Sequence, residues 1–203
     1  MKKYTLVFDI KSDWHIGCGK EGGAYADALT LKDTNRLPYI PGKSIKGLLR
    51  DAFQTAADCS WFGTNSDTVV SYLFGEEDRE GTIKQGMIQV SSAMLSTDET
   101  EFLTSHSSGK NVADHLYRVI QSTAIDQKNG VAKHTSLRSI EVTVPMTLSA
   151  EISLNTSHHS FEKNPDIQVD FGQWLTDTVT LITELGNKRH RGLGQVTVSV
   201  KEA

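Results

Sequence analysis

Cysteine is scarce in this chain of 203 residues: only Cys18 and Cys59 are present. They form neither a disulfide framework nor the CxxC spacing of a zinc or redox site, so a reduced, cytoplasmic protein is the expectation. Long apolar runs are missing too. No stretch approaches the roughly 20 residues of a membrane span, and the opening MKKYTLVFDIKSD lacks the apolar centre of a secretory signal. Nor is there a basic excess. The formal net charge of −4 argues against a protein that coats nucleic acid indiscriminately, but it leaves room for a local basic groove. The hydrophobic share of 37% is low and is accompanied by 16 glycines, which suggests one compact domain carrying irregular segments.

Against these absences stands LPYIPGKSIKGLLRDAF, Leu37 to Phe53, whose Gly-Lys-Ser resembles half of a nucleotide-binding P-loop. A P-loop requires a glycine five places before Gly42, where this chain has Leu37. Pro38 and Pro41 also lack the amide hydrogens that would cradle a phosphate. The segment reads better as an amphipathic helix. Ile45, Leu48, Leu49, Ala52, Phe53 and Ala56 recur at helical spacing, and the opposite face carries Lys43, Lys46, Gly47 and Arg50. A glycine inside a helix costs about 1 kcal/mol relative to alanine, so Gly47 among three cations suggests close approach by a phosphate backbone. A solvated basic face with a tolerated glycine is the alternative.

The alternation of Tyr4 to Ile10 predicts a first strand, followed by the glycine-punctuated loop WHIGCGKEGG. A short extended piece at Ala28 to Leu31 precedes the helix, which should end near Asp58. QGMIQVSSAML reads as another strand, and residues 97 to 135 are polar and hard to assign, with a tight turn at Asp126 to Gly130. Ser139 to Leu154 alternates for long enough to make one or two strands. Phe171 to Leu185 has a helical apolar side, and QVTVSV closes the chain as a strand. Strand, helix, strand, a strand-rich insertion, helix and strand is the order of a ferredoxin-like, RNA-recognition-type α+β sandwich with a large insertion.

Several groups invite a chemical reading. The loop GNKRHRGLG places Lys188, Arg189, His190 and Arg191 between glycines, which suits a phosphate and equally suits a helix C-terminus. It lies between a helix and a following strand, the reverse of a dinucleotide fingerprint. His15 could hold a phosphate or move a proton, or be purely structural. His158 and His159 have no third ligand at metal spacing, and His106, His115, His134 and His190 form no recognisable set. Asp27 and Asp33 bracket ALTLK; they are either a solvated pair or carboxylates for a divalent metal or an attacking hydroxyl.

Taken together, DALTLKDTNRLPYIPGKSIKGLLR, YLFG, TAIDQKNGVAKHTSLRSIEVTVP and KRHRGLGQVTV resemble, in content and order, the RAMP superfamily of CRISPR effector proteins. The similarity is strongest to the repeated backbone subunit of type III complexes and spans nearly the whole chain. It implies a modified RNA-recognition palm, residues 1–96 and 140–203 of a single domain over 1–203, with a β-hairpin thumb insertion at about 97–145. It implies guide RNA, target RNA, other effector subunits and neighbouring copies as partners. Asp27, followed by a short extended piece and the Lys32-Asp33 turn, matches the family's cleavage aspartate, which cuts target RNA with Mg²⁺ or another divalent metal and leaves a cyclic phosphate. The same resemblance places Lys43, Ser44, Lys46, Gly47 and Arg50 on the guide backbone, adds His15, Arg118, Lys188, Arg189 and Arg191 as RNA-binding positions, and makes Ile125 to Val144 the thumb. Where the family usually has arginine in the thumb and proline after the aspartate, this chain has Gln127 and Leu29.

Three functions are compatible with these residues: a guide-binding backbone subunit that cuts target RNA through Asp27, a purely structural guide-binding subunit, and a metal-independent guide-processing endoribonuclease using His15.

Overall fold

The computed structural model describes residues 1–63, 66–77, 83–159, 161, 162 and 164–202. Strand β1 (Lys2–Ile10) is the organising element. Its even-numbered residues Tyr4, Leu6, Phe8 and Ile10 are buried, as the period-two pattern requires. On one edge it pairs antiparallel with β7 (Thr147–Leu154), setting Leu6 opposite Ala150 and Phe8 opposite Leu148. On the other it pairs with β8 (Val196–Glu202), setting Phe8 opposite Val198 and Ile10 opposite Val196. The short β4 (Ile88–Val90) joins the outer edge of β7, which gives the order β4-β7-β1-β8.

Two helices cover the apolar face of this sheet. Helix α1 (Gly42–Asp58) buries Ile45, Leu49, Ala52, Phe53, Ala56 and Ala57, and α5 (Pro165–Thr178) contributes Ile167, Phe171 and Leu175 to the same core. The opposite face is wet and carries the Lys3–Glu151 ion pair. The chain order β1-α1-β4-β7-α5-β8 is therefore the ferredoxin-like β-α-β-β-α-β unit of an RNA-recognition-type palm. Aromatic contacts tie the helices together: Phe53 lies 5.3 Å from Phe62 and 5.4 Å from Phe74, and Phe62 lies 5.0 Å from Trp174. Phe74 ends α2 (Ser66–Phe74), which leads into the hairpin of β2 (Gly75–Glu77) and β3 (Ile83–Gln85).

Some boundaries differ from the sequence expectation. The strand expected through QGMIQVSSAML is regular for three residues only, because the chain then leaves β7 to bridge Ile40 through Ala93 and returns to Ser149 at Met94. The second long helix begins at Pro165, whose fixed φ suits a first turn. It ends at Thr178 in a 3-10 turn, beyond which Ile182 and Leu185 still reach the core while Leu181 faces solvent. The unassigned stretch opens with a capping box, Ser96 with Glu99, that starts α3 (Thr97–Ser105). Helix α4 (Ser107–Ala113) follows, and then β5 (Tyr117–Ser122) pairs with β6 (Arg138–Thr143) as a two-stranded ribbon. At its tip the Gly130 amide donates to the Asp126 carbonyl at 2.8 Å, the tight turn expected there. Among the described residues no helix is long and apolar enough to cross a membrane.

Truncating Phe53 removes a fully buried ring that contacts two other aromatics. Phe53→Ala should lower the unfolding free energy by about 3–5 kcal/mol in a chemical denaturation experiment, and a loss under about 1 kcal/mol would contradict this packing.

Candidate nucleic-acid interface

The basic face of α1 divides between two clefts. Ser44, Gly47, Leu48 and Asp51 line an open cleft of about 440 Å³, whose other walls are His15, Ile16 and Gly17 after β1 and Leu185, Gly186, Asn187 and Arg189 before β8. Lys46 and Arg50 point the other way, into a cleft of about 580 Å³ against Phe74, Gly75, Glu76 and the Lys84–Gly86 end of the β2–β3 hairpin. Lys43 is exposed and lines neither. Burial pushes the Lys46 ammonium below its usual range and the neighbouring Arg50 charge adds to this, while its Nζ donates to the Ile88 carbonyl at 3.4 Å. An anion arriving beside Lys46 and Arg50 would relieve that repulsion. A Cβ on Gly47 would meet nothing of this chain within 4 Å, so internal packing does not require glycine there.

The glycine-flanked basic loop is fastened to the residues that follow β1. The Asn187 amide donates to the His15 carbonyl at 2.8 Å, and the Gly194 amide donates to the Asp13 carbonyl at 2.7 Å. Gly186 (φ 78°) and Gly194 (φ 73°) are in the left-handed region, and a Cβ would stand 2.6 Å from the His15 carbonyl oxygen in the first case and 1.9 Å from that of Leu185 in the second. Both positions therefore demand glycine. Between them Lys188 is left-handed and half-buried, and Arg189 to Arg191 form one exposed 3-10 turn. Of the three cations in this loop, only Arg189 reaches the first cleft.

His15 is 3% exposed, and its Nδ1–H donates to the Glu141 carbonyl at 2.7 Å. A carbonyl can only accept, so the neutral ring keeps its lone pair on Nε2, which faces Gly17. Arg118, at the root of the ribbon, is tethered: its Nε donates to Asp13 Oδ2 at 2.8 Å and its Nη2 contacts the same oxygen. Asp13 is buried, and its Oδ1 has no hydrogen-bond partner among the described residues.

The two candidate carboxylates separate. Asp33 Oδ1 accepts from the amides of Asn35 at 2.8 Å and Leu37 at 2.7 Å, so it is consumed in closing a turn. Asp27 is exposed. Its amide donates to the Ser139 carbonyl at 2.9 Å, and its Oδ2 accepts from the Ser139 amide at 2.7 Å, which pins the carboxylate to the start of β6. Among the described residues no group of three or more His, Cys, Asp or Glu side chains could hold a metal ion. A single carboxylate fits Mg²⁺ only where phosphate and water complete the coordination.

A cluster beside Asp27 escaped the sequence reading. Glu141 is 2% exposed; its Oε1 accepts from Lys32 Nζ at 2.8 Å, and that ammonium sits 3.8 Å from the centre of the Tyr117 ring. Tyr117 donates its phenol to the Arg36 carbonyl at 2.7 Å; burial raises its pKa, and the charges of Glu141 and Asp33 add to the rise. With Tyr25, Arg36 and Lys110 these residues line the largest of the described cavities, about 790 Å³. Glu141 lies in SIEVT, whose alternation gives it a solvent-facing place, whereas Ile140, Glu141, Val142 and Thr143 are all buried.

Comparisons with known proteins agree with this architecture. No curated protein sequence is significantly similar to the chain. A chain in the cryo-EM structure of the Type III-B Cmr-beta bound to cognate target RNA superposes with a TM-score of 0.71 at 10% identity, covering 98% of this chain and 97% of that one. A chain of the Type III-B Cmr-beta apo state gives 0.66 at 13% identity over 98% and 97%, and a chain of a Type IV-B CRISPR complex gives 0.61 at 15% identity over 98% and 90%. The family model of the RAMP superfamily matches residues 7–197, and the chain belongs to that superfamily.

Proposed function

We propose that this chain is a backbone subunit of a CRISPR effector complex that binds guide RNA along α1 and cuts complementary target RNA at Asp27, with other effector subunits and neighbouring copies as partners. The observation that carries the reading is the convergence of Ser44 and Gly47 of α1, the loop after β1 and Arg189 on one open cleft, while Asp27 is presented separately at the start of β6. The fold shared with a chain of the Type III-B Cmr-beta structure, which is bound to cognate target RNA, supports it.

In the guide-binding half, Lys43, Ser44, Lys46 and Arg50 supply charge and hydrogen bonds to successive phosphates, while the open surface at Gly47 lets the backbone come close. Lys188, Arg189 and Arg191 extend the same field, and Arg118, oriented by Asp13, adds a fixed guanidinium. In the cutting half, the ribose 2′-hydroxyl attacks the adjacent phosphorus, a cyclic phosphate forms and the 5′-oxygen leaves. Asp27 Oδ2 is held by the Ser139 amide, and Oδ1 is the oxygen assigned to orient the hydroxyl or hold a cation. A divalent ion such as Mg²⁺, when bound there, supplies charge neutralisation at that phosphate. Guide processing through His15 is disfavoured by the burial of its ring and by its tie to Glu141.

Asp27→Ala should slow single-turnover cutting of target RNA about a hundredfold or more while the ratio of absorbance at 260 and 280 nm of the purified complex, which reports guide content, stays at the wild-type value. Cutting at the normal rate would overturn the assignment, and a wild-type complex that never cuts would leave the purely structural role.

Gly47→Ala separates packing from partner contact. It should raise the melting temperature, since alanine is the better helix former by about 1 kcal/mol, and it should weaken guide RNA binding. Unchanged affinity would show that no backbone approaches there. Lys46→Ala and Arg50→Ala should each reduce the slope of log Kd against log salt by about 0.7, the signature of one lost phosphate contact on a single strand.

A further inference from the structure

Glu141 is bonded in four directions. Its amide donates to the Ala28 carbonyl at 2.9 Å and its carbonyl accepts from His15 Nδ1 at 2.7 Å. Its Oε2 accepts from the Thr30 amide at 3.0 Å and its Oε1 from Lys32 Nζ at 2.8 Å. Ala28, Thr30 and Lys32 are alternate residues of the extended piece that begins at Asp27, so they present one edge to β6. Backbone pairing along that edge consists of Asp27 N to Ser139 O and Glu141 N to Ala28 O around a single parallel bridge between Ala28 and Ile140, the Ser139 amide going instead to the Asp27 carboxylate. Beyond it the Glu141 carboxylate takes over, accepting the Thr30 amide where a further ladder bond would otherwise be needed. The other edge of the piece is held by the Ile16 to Cys18 segment next to His15, through Leu31 N to Ile16 O at 2.7 Å and Cys18 N to Leu29 O at 3.0 Å.

An ion pair with one partner buried and the other half-buried adds little net stability, because desolvating the glutamate offsets much of the attraction. What it does supply is position: neither the glutamate nor the lysine can shift without leaving a charge unpaired. We propose that Glu141 is a positioning residue for target cutting, holding the Asp27-bearing segment at a fixed height on β6 and joining it, through His15, to the wall of the guide cleft. The inference rests on the cutting role of Asp27. Because the cleft wall is held through the Glu141 backbone carbonyl and the cutting segment through its carboxylate, substitution at Glu141 reaches the scissile phosphate rather than the guide.

The test uses reconstituted complexes carrying Glu141→Ala, which loses both acceptors, Glu141→Gln, which keeps an acceptor for Thr30, and Lys32→Met, which removes only the cation, with Asp27→Ala alongside. Single-turnover cutting, target RNA affinity and hydrogen–deuterium exchange of residues 28–31 are measured on each. Glu141→Ala should cut about tenfold or more slowly, with Glu141→Gln and Lys32→Met between it and wild type, since small misplacement of a reacting group is costly. Target affinity should stay within about twofold, because the cations that hold RNA lie elsewhere. Exchange at Thr30 should quicken in Glu141→Ala and less in Glu141→Gln. Where Glu141→Ala fails to assemble, the ordering of Glu141→Gln and Lys32→Met below wild type carries the same decision. Wild-type cutting in the substituted complexes while Asp27→Ala is inactive would overturn the proposal, as would slowed cutting without altered exchange. Cutting that survives Asp27→Ala overturns instead the catalytic reading of Asp27, and with it the positioning claim.

Discussion

The double pairing of β1 is the constraint on which the remaining geometry depends. A strand bonded on both edges cannot slide, because a slip of one residue would turn Tyr4, Leu6, Phe8 and Ile10 out of the core. The residues immediately after it inherit that fixity. The Ile10 amide donates to Met146, Lys11 to Gln195 and Trp14 to Thr143, while the Trp14 indole, fully buried, donates to Val144 at 3.1 Å. Asp13 and His15, on either side of that tryptophan, are thereby placed where the ribbon, the glycine loop and α1 meet. A loop that hung from an edge strand could not hold them with the same certainty.

The electrostatics follow from the same junction. The chain is acidic overall, yet two of its acids, Asp13 and Glu141, are buried and answered by Arg118 and Lys32. Their fields are largely spent on those partners, and the cations on α1 and the glycine loop stand on surfaces of their own. Net charge sets how a protein behaves towards polyanions at a distance; local arrangement sets what happens at contact. Burial first, and the Arg50 charge second, holds Lys46 below its usual range, in a cleft where Glu76 is the one carboxylate among the described residues that line it.

Much of the palm was legible in the sequence because its elements are amphipathic with a clear period. The apolar spacing of α1 and the alternation of β1 each survive into the structure almost residue for residue. The Ser96–Glu99 capping box was readable in principle, since Ser and Glu three apart before an apolar residue mark a helix start, but it lay in a polar stretch with no apolar stripe to reinforce it. Glu141 was not readable. It takes a polar place in the alternation of Ser139 to Val144, where a solvent-facing residue is expected, yet Ile140 to Thr143 are buried on both faces of β6. The contacts that give Asp27 and Glu141 their places join residues more than a hundred positions apart, and nothing local records them.

The geometry also bears on how the two halves of the proposed activity could vary independently. His15 reaches β6 through the backbone carbonyl of Glu141, whereas Thr30 and Lys32 reach it through the side chain. A backbone acceptor is present whatever residue occupies position 141; a carboxylate is not. The cleft wall is therefore insensitive to the chemistry at 141, and the Asp27-bearing segment depends on it. A subunit that needed only to hold RNA would tolerate almost any residue there that packs, and would have little reason to bury a charge that costs several kcal/mol to desolvate before its partner compensates. The presence of both the glutamate and the lysine argues that the position of the Asp27 segment matters in this protein.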